Sequence, residues 1–126
     1  GAFDASARVA SMASSCPDTR LVLGGYSQGA AVMDILAGVP ILGRDLGVPL
    51  PPDVADNVAA VAVFGNPATK IGKAISAASP QFAGRAIDLC KDGDPICSDG
   101  RNPFAHSDYV SAGLPVQAEN YVAGLV

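Results

Sequence analysis

Charge is scarce in this sequence, and positive charge most of all: eight Lys and Arg stand against twelve Asp and Glu in 126 residues, a net charge of -4. The basic residues form no cluster, and a polyanion needs a concentrated positive surface, so nucleic acid is not expected as a partner. Long apolar runs are lacking too. The strongest, Val58 to Phe64, is far short of the roughly 18 residues that a membrane-spanning helix requires. No basic stretch followed by an apolar one opens the chain; Gly1-Ala2-Phe3-Asp4 runs straight into helix-like residues, so a signal peptide is expected to have been removed or to lie upstream. Histidine is reduced to one residue, His106, and cysteine to three, an odd number that leaves one thiol without a mate in this chain.

What is present is a compact, apolar composition. Hydrophobic residues make 49% of the chain, and 14 Gly with 10 Pro supply about a fifth of it, as buried strands joined by tight turns demand. One domain is expected over residues 1–126, burying roughly two-thirds of the surface of the unfolded chain. Asp4 can cap a first helix with Val9, Met12 and Ala13 on one face, stopped at Cys16-Pro17-Asp18. Arg20 to Tyr26 reads as a continuously apolar strand, the kind buried on both faces of a parallel sheet, and Gln28 to Ala37 as a helix with Ala31, Val32, Ile35 and Leu36 at helical spacing. Gly38 to Pro52 has a loop composition. Val58 to Gly65 is a second strand, Ile71 to Ser79 a weak helix, Arg85 to Cys90 a third strand, and Val116 to Leu125 a closing helix with Ala118, Tyr121, Val122 and Leu125 on one face. Such alternation predicts an α/β fold, right-handed crossovers and a parallel sheet covered by helices.

Gly25-Tyr26-Ser27-Gln28-Gly29 has the form G-x-S-x-G and falls between a predicted strand and a predicted helix. That placement matters, because a sharp strand-to-helix turn strains the serine backbone and lifts its hydroxyl above the sheet, and flanking glycines let the two elements approach where a Cβ would clash. The helix that follows would aim its positive end, and the Gln28 N–H, at a carbonyl oxygen becoming negative under attack, which is half of an oxyanion hole. Phosphate-binding readings of the same glycines fail: Ala30-Ala31 stand where a P-loop needs Lys and Ser or Thr, and Tyr26 stands where a dinucleotide fingerprint needs Gly.

A serine nucleophile needs a base, and His106, after the last strand, is the one histidine available. The acid is less determined. Asp88, Asp92, Asp94, Asp99 and Asp108 all lie near the end of the last strand; Asp88 is inside the predicted strand and Asp108 is too near His106 in sequence, while Asp92 and Asp94 both sit in the loop at the strand's carboxyl end. A Cys90 to Cys97 disulfide would close this eight-residue loop, with about 2.5 kcal/mol of stabilisation in the chain-entropy picture, and hold an Asp in register. The order Ser, Asp, His is that of α/β-hydrolases.

Taken together, Cys16-Pro17-Asp18, Leu21-Val22-Leu23-Gly24-Gly25-Tyr26-Ser27-Gln28-Gly29-Ala30-Ala31, Phe64-Gly65-Asn66-Pro67, Cys90-Lys91-Asp92-Gly93-Asp94-Pro95-Ile96-Cys97 and His106 resemble the cutinase family of serine esterases over nearly the whole chain. Ser98-Asp99-Gly100 after the loop is most similar to the mycobacterial-type cutinase-like lipases and esterases. The resemblance implies an α/β-hydrolase with an open serine, secreted, without metal or cofactor, hydrolysing lipid or polyester carboxylic esters of short to medium acyl chain through Ser27, His106 and Asp94. It makes Asp94, not Asp92, the triad acid. Pro103, Phe104 and Val110, flanking the histidine, are the expected acyl-binding wall, with a core place for Phe104 equally open. An acyltransferase using the same triad, and an inactive secreted fragment, are the alternatives. Family members carry, ahead of the position of Gly1, an edge pair of strands, another cysteine and the second oxyanion donor. The resemblance therefore implies a chain incomplete at its N-terminus, with those strands absent from it and Cys16 the partner of the upstream cysteine.

Overall fold

The computed structural model describes residues 1–40 and 49–126. Its sheet has three parallel strands in the order β1 (Leu21–Tyr26), β2 (Val58–Phe64), β3 (Ala86–Leu89). Helix α1 (Ala2–Ser15) precedes β1, α2 (Gln28–Leu36) and the short α3 (Pro52–Ala55) lie between β1 and β2, α4 (Ile75–Ala78) lies between β2 and β3, and α5 (Leu114–Ala123) closes the chain.

Strand β2 explains the architecture. Every position from Val58 to Val63 is buried, because its alternate side chains enter two different cores. Val58, Val61 and Val63 pack with Val9 of α1, Ala30 and Leu36 of α2, and Ile75 of α4, while Ala62 turns the other way to meet Leu89 and Ala118 of α5. A strand covered on both faces has no place for a polar alternation, which is why it reads as one apolar run.

Strand β1 departs from the expected burial on both faces: its positions alternate, with Leu21, Leu23 and Gly25 turned inward and Val22, Gly24 and Tyr26 exposed. Helix α5 packs mainly against β2 and β3, Val22 and Tyr26 of β1 stay about half exposed, and among the described residues β1 has no partner on its outer edge. The expected helix over Ile71 to Ser79 is also broken in two. A 3-10 turn spans Pro67–Ile71 and ends at Gly72 with φ +74, after which α4 starts anew with the Asp88 carboxylate accepting from the amides of Ile75 and Ser76. The Gly38 to Pro52 loop expectation falls partly on residues 41–48, outside the described residues; its end carries the unforeseen α3, which begins with a proline, Pro52, at its first position.

Candidate active site

The carboxyl ends of all three strands converge on one place. The ladder continues past β1 and β2 by one bond each, with Ser27 N–H donating to the Phe64 carbonyl (2.8 Å) and Gly65 N–H to the Leu89 carbonyl (2.9 Å). The chain then leaves β1 through Ser27, β2 through Gly65 and Asn66, and β3 through the Cys90 loop. Open parallel sheets build their sites at this end.

Ser27 has φ 56 and ψ -113, the only non-glycine with positive φ among the described residues. The sharp turn depends on Gly25: a Cβ there would come within 2.5 Å of the Gly29 carbonyl oxygen. Gly29 itself has nothing within 4 Å of the position a Cβ would take, so the second motif glycine is not required by space as the motif alone implied. Gln28 opens α2, where helix geometry leaves its N–H without an intrahelical acceptor.

Between β3 and α5 the chain places an acid and a base. The Cys90–Cys97 disulfide, with Cα atoms 5.9 Å apart, closes the loop. Within it Asp94 accepts from the Ile96 amide (2.8 Å), and the Ser98 hydroxyl donates to the Asp94 carbonyl. Gly93 has φ +90, and the Asn102 amide donates to its carbonyl (2.9 Å), tying the loop to the next turn. There a 3-10 turn over Pro103–Ser107, opened by Asn102 Oδ1 accepting from the Phe104 amide, presents His106.

These elements bring Ser27, His106 and Asp94 into one hydrogen-bonded chain: His106 Nε2 lies 2.8 Å from Ser27 Oγ, and His106 Nδ1 lies 2.8 Å from Asp94 Oδ2. With Nδ1 facing a carboxylate, the imidazole carries its proton there and offers Nε2 to the hydroxyl, the arrangement in which a serine proton can be withdrawn. Burial of Asp94, 0% exposed, works against its charge, yet the bonds from Tyr109, His106 and the Ile96 amide outweigh it and hold the carboxyl below its ordinary 3.8. The other acidic candidates are elsewhere: Asp92 is exposed, Asp88 caps α4, and Asp108 lies 3.7 Å from Lys91.

Three residues of this site were given no role by the sequence motifs, although two of them, Tyr26 and Gly65, lie inside those motifs. Tyr26 stacks on the His106 ring and donates from its hydroxyl to the His106 carbonyl. Gly65, at φ +60, lets the imidazole lie against bare backbone, since a Cβ would fall 2.9 Å from His106 Cε1. Tyr109, buried three residues beyond His106, donates to Asp94 Oδ2 at 2.6 Å.

Phe104 is 82% exposed and has no core place, and it does not line the apolar recess beside His106; Val110, 83% exposed, does, together with Tyr26, Phe64, Ser107, Tyr109 and Pro115. Cys90, Asp94 and Cys97 are close enough to surround an ion, but the two sulfurs are bonded to each other and offer no thiolate to hold one.

The chain is 52% identical over 126 residues to phospholipase Culp4 of Mycobacterium tuberculosis, covering 100% of this chain and 55% of that protein. It is 55% identical over 124 residues to the probable carboxylesterase Culp3 of the same species, covering 97% and 47%. The chain thus spans about half the length of the curated relatives it matches. The catalytic core domain of acetyl xylan esterase from Trichoderma reesei superposes with a TM-score of 0.84 at 28% identity, over 99% of this chain and 69% of that one. The cutinase family model matches residues 1–126 without remainder, and the chain belongs to the cutinase family.

Proposed function

We propose that the protein is a secreted serine esterase acting on carboxylic esters of short to medium acyl chain, with Ser27 as nucleophile, His106 as general base and acid, and Asp94 as the group that orients and charges with His106. The observation that carries this reading is the unbroken chain Ser27 Oγ, His106 Nε2, His106 Nδ1, Asp94 Oδ2, both links at 2.8 Å. Ser27 Oγ attacks the ester carbonyl as Nε2 takes its proton; the carbonyl oxygen becomes an oxyanion facing the Gln28 N–H. The imidazolium, held by the Asp94 carboxylate, returns the proton to the departing alcohol and leaves an acyl-Ser27. Water, deprotonated by the same Nε2, then releases the acid and regenerates the serine. The names of the proteins described above, a phospholipase, a probable carboxylesterase and an acetyl xylan esterase, support ester hydrolysis.

Secretion is supported by the Cys90–Cys97 disulfide, which persists in oxidising compartments. A need for an N-terminal complement is supported by three features: the unpaired outer edge of β1 among the described residues, the free Cys16, and the half-length coverage of the relatives. Such a segment would cover β1, pair with Cys16 and supply a second oxyanion donor.

The deciding experiment is treatment with an alkyl phosphonate p-nitrophenyl ester followed by peptide mass spectrometry. A single phosphonyl adduct on Ser27, absent in Ser27→Ala and in His106→Ala, is expected; labelling elsewhere, or none, removes the nucleophile assignment. Turnover in the presence of an acceptor alcohol separates hydrolysis from acyl transfer by product.

A further inference from the structure

We propose that Tyr109 is a positioning residue for this chemistry: its phenol holds the Asp94 carboxylate ionised and fixed in rotation against Nδ1 of His106. The inference rests on the Ser27, His106, Asp94 reading given above and adds a fourth member that acts through the third.

The ring of Tyr109 alone would be an ordinary core residue. It is buried and meets Tyr26, Phe64 and His106 edge-on, with centroids 5.8, 6.1 and 6.5 Å away, and phenylalanine would serve these contacts equally well. The hydroxyl is what needs explaining. A phenol has one proton to give, and three groups lie within reach: the Lys91 amide at 3.1 Å, Cys97 Sγ at 3.3 Å and Asp94 Oδ2 at 2.6 Å. The amide can only donate, so it occupies an oxygen lone pair of Tyr109. Cys97 is in a disulfide, so its sulfur has no proton to offer and is a weak acceptor. The direction of the remaining bond is thereby determined: Tyr109 O–H points at Asp94 Oδ2.

Asp94 shows the complementary need. Its carboxylate is completely buried, and a buried charge is tolerated only when its lone pairs are met. Oδ1 accepts from the Ile96 amide; Oδ2 accepts from both His106 Nδ1 and Tyr109. Ile96 and His106 bond one oxygen each, and Tyr109, the third donor, meets Oδ2 a second time and so adds resistance to rotation about the Cβ–Cγ bond. Of the donors to Asp94, Tyr109 is the strongest influence keeping its carboxyl in the charged form, and burial followed by the same contact raises the Tyr109 phenol above its ordinary 10.0, so the proton stays on the tyrosine.

The shared oxygen fixes the sign of the effect. Each donor to Oδ2 draws charge from it, so weakening the phenol bond makes the carboxylate more basic. Both Asp94 and the imidazolium it faces then hold their protons to higher pH. A stronger phenol donor does the reverse. A residue serving only to fill space would move neither.

The test compares Tyr109→Phe with 3-fluorotyrosine placed at position 109, in the full-length protein, by kcat, KM and the acid limb of kcat/KM for p-nitrophenyl butyrate, with thermal melts alongside. The phenylalanine variant is expected to lower kcat about tenfold with KM within about twofold, as losses of groups that orient a reacting residue do, and to move the acid limb up by about half a pH unit. Fluorotyrosine, a stronger donor of nearly the same shape, is expected to move the limb down. Limbs that stay in place, or that move in the same direction for both, overturn the role. If the Tyr109→Phe protein fails to fold, the direction of the fluorotyrosine limb decides alone. The Ser27→Ala control separates the two readings. An inactive Ser27→Ala with unmoved limbs at position 109 removes the Tyr109 role only, whereas an active Ser27→Ala removes the triad itself.

Discussion

The ring of Tyr26 lies nearly flat on the imidazole of His106, with centroids 5.1 Å apart and planes 25° from parallel, while its hydroxyl donates to the His106 carbonyl. The residue immediately before Ser27 thus grips the base both by its face and by its backbone, joining two segments 80 positions apart. The motif position before the serine, written as any residue in G-x-S-x-G, is here part of the site's alignment. Tyr26→Phe keeps the stacking and loses the backbone tie; Tyr26→Ala loses both. A fall in kcat of about threefold for the first and at least about tenfold for the second is expected, since small displacements of a base are felt strongly. Equal kcat for Tyr26→Ala and wild type would deny the ring any part in holding His106.

Ser27 carries backbone strain that glycine does not. Its φ of 56 and ψ of -113 belong to the region that glycine enters freely and residues with a Cβ enter at a cost of about 1–3 kcal/mol. Ser27→Ala should abolish ester hydrolysis by about a thousandfold or more and leave stability nearly unchanged. Ser27→Gly should be equally inactive but more stable by on the order of 1 kcal/mol, after the greater chain entropy of glycine is subtracted. Urea denaturation of the three proteins reads the difference, and a Ser27→Gly protein no more stable than Ser27→Ala would mean the turn is unstrained.

Between the neighbouring aspartates the discrimination is sharp. Asp94→Asn removes the charge facing Nδ1 and favours the wrong imidazole tautomer, so kcat should drop by roughly 10⁴. Asp92 is exposed, and Asp92→Asn should stay within about twofold of wild type. Inactivation by Asp92→Asn with an active Asp94→Asn would overturn the assignment of the acid.

A second buried carboxyl lies under the site. Asp34 of α2 is fully buried and accepts from Asn66 Nδ2 at 2.6 Å through one oxygen, while among the described residues the other oxygen has no partner. Burial, only partly offset by the Asn66 bond and reinforced by the nearby Asp88 charge, pushes it up to about 7. An acid whose folded value is raised holds its proton in the native state while the unfolded chain has already lost it. Stability should therefore fall with rising pH, between the unfolded value near 4 and about 7, by on the order of 1 kcal/mol per pH unit within that window. Asp34→Asn should flatten the decline and be the more stable protein at pH 8. Parallel stability curves for both proteins from pH 4 to pH 8 would show that Asp34 is ionised throughout.

The sequence was most readable where one local rule governs. The β2 run is legible because both its faces are buried, and the Ser27 turn because strand, strain and helix meet within five residues. The break near Gly72 was hidden because the restart of α4 depends on Asp88, a residue of β3 that no window of sequence brings alongside. α5 starts and ends two residues earlier than its apolar spacing indicated, since Gly113 at φ +79 sets its start and Gly124 follows its end. The choice of Asp94 came from family likeness, because spacing alone left Asp92 equally open. Tyr109 and Tyr26 act through hydroxyls that reach across the fold, and a tyrosine amid apolar residues reads as core packing until its partner is seen.

The bare backbone at Gly65 makes one wall of the imidazole's slot out of a peptide instead of a side chain. A wall of that kind cannot be remodelled by substitution, because every replacement begins by adding the atom that would strike His106 Cε1. Variation aimed at new substrates is expected to be barren at position 65 and productive at Val110, which borders the apolar recess with most of its surface free. On the proposed esterase reading, changes in ester preference would then accumulate at the recess without disturbing His106.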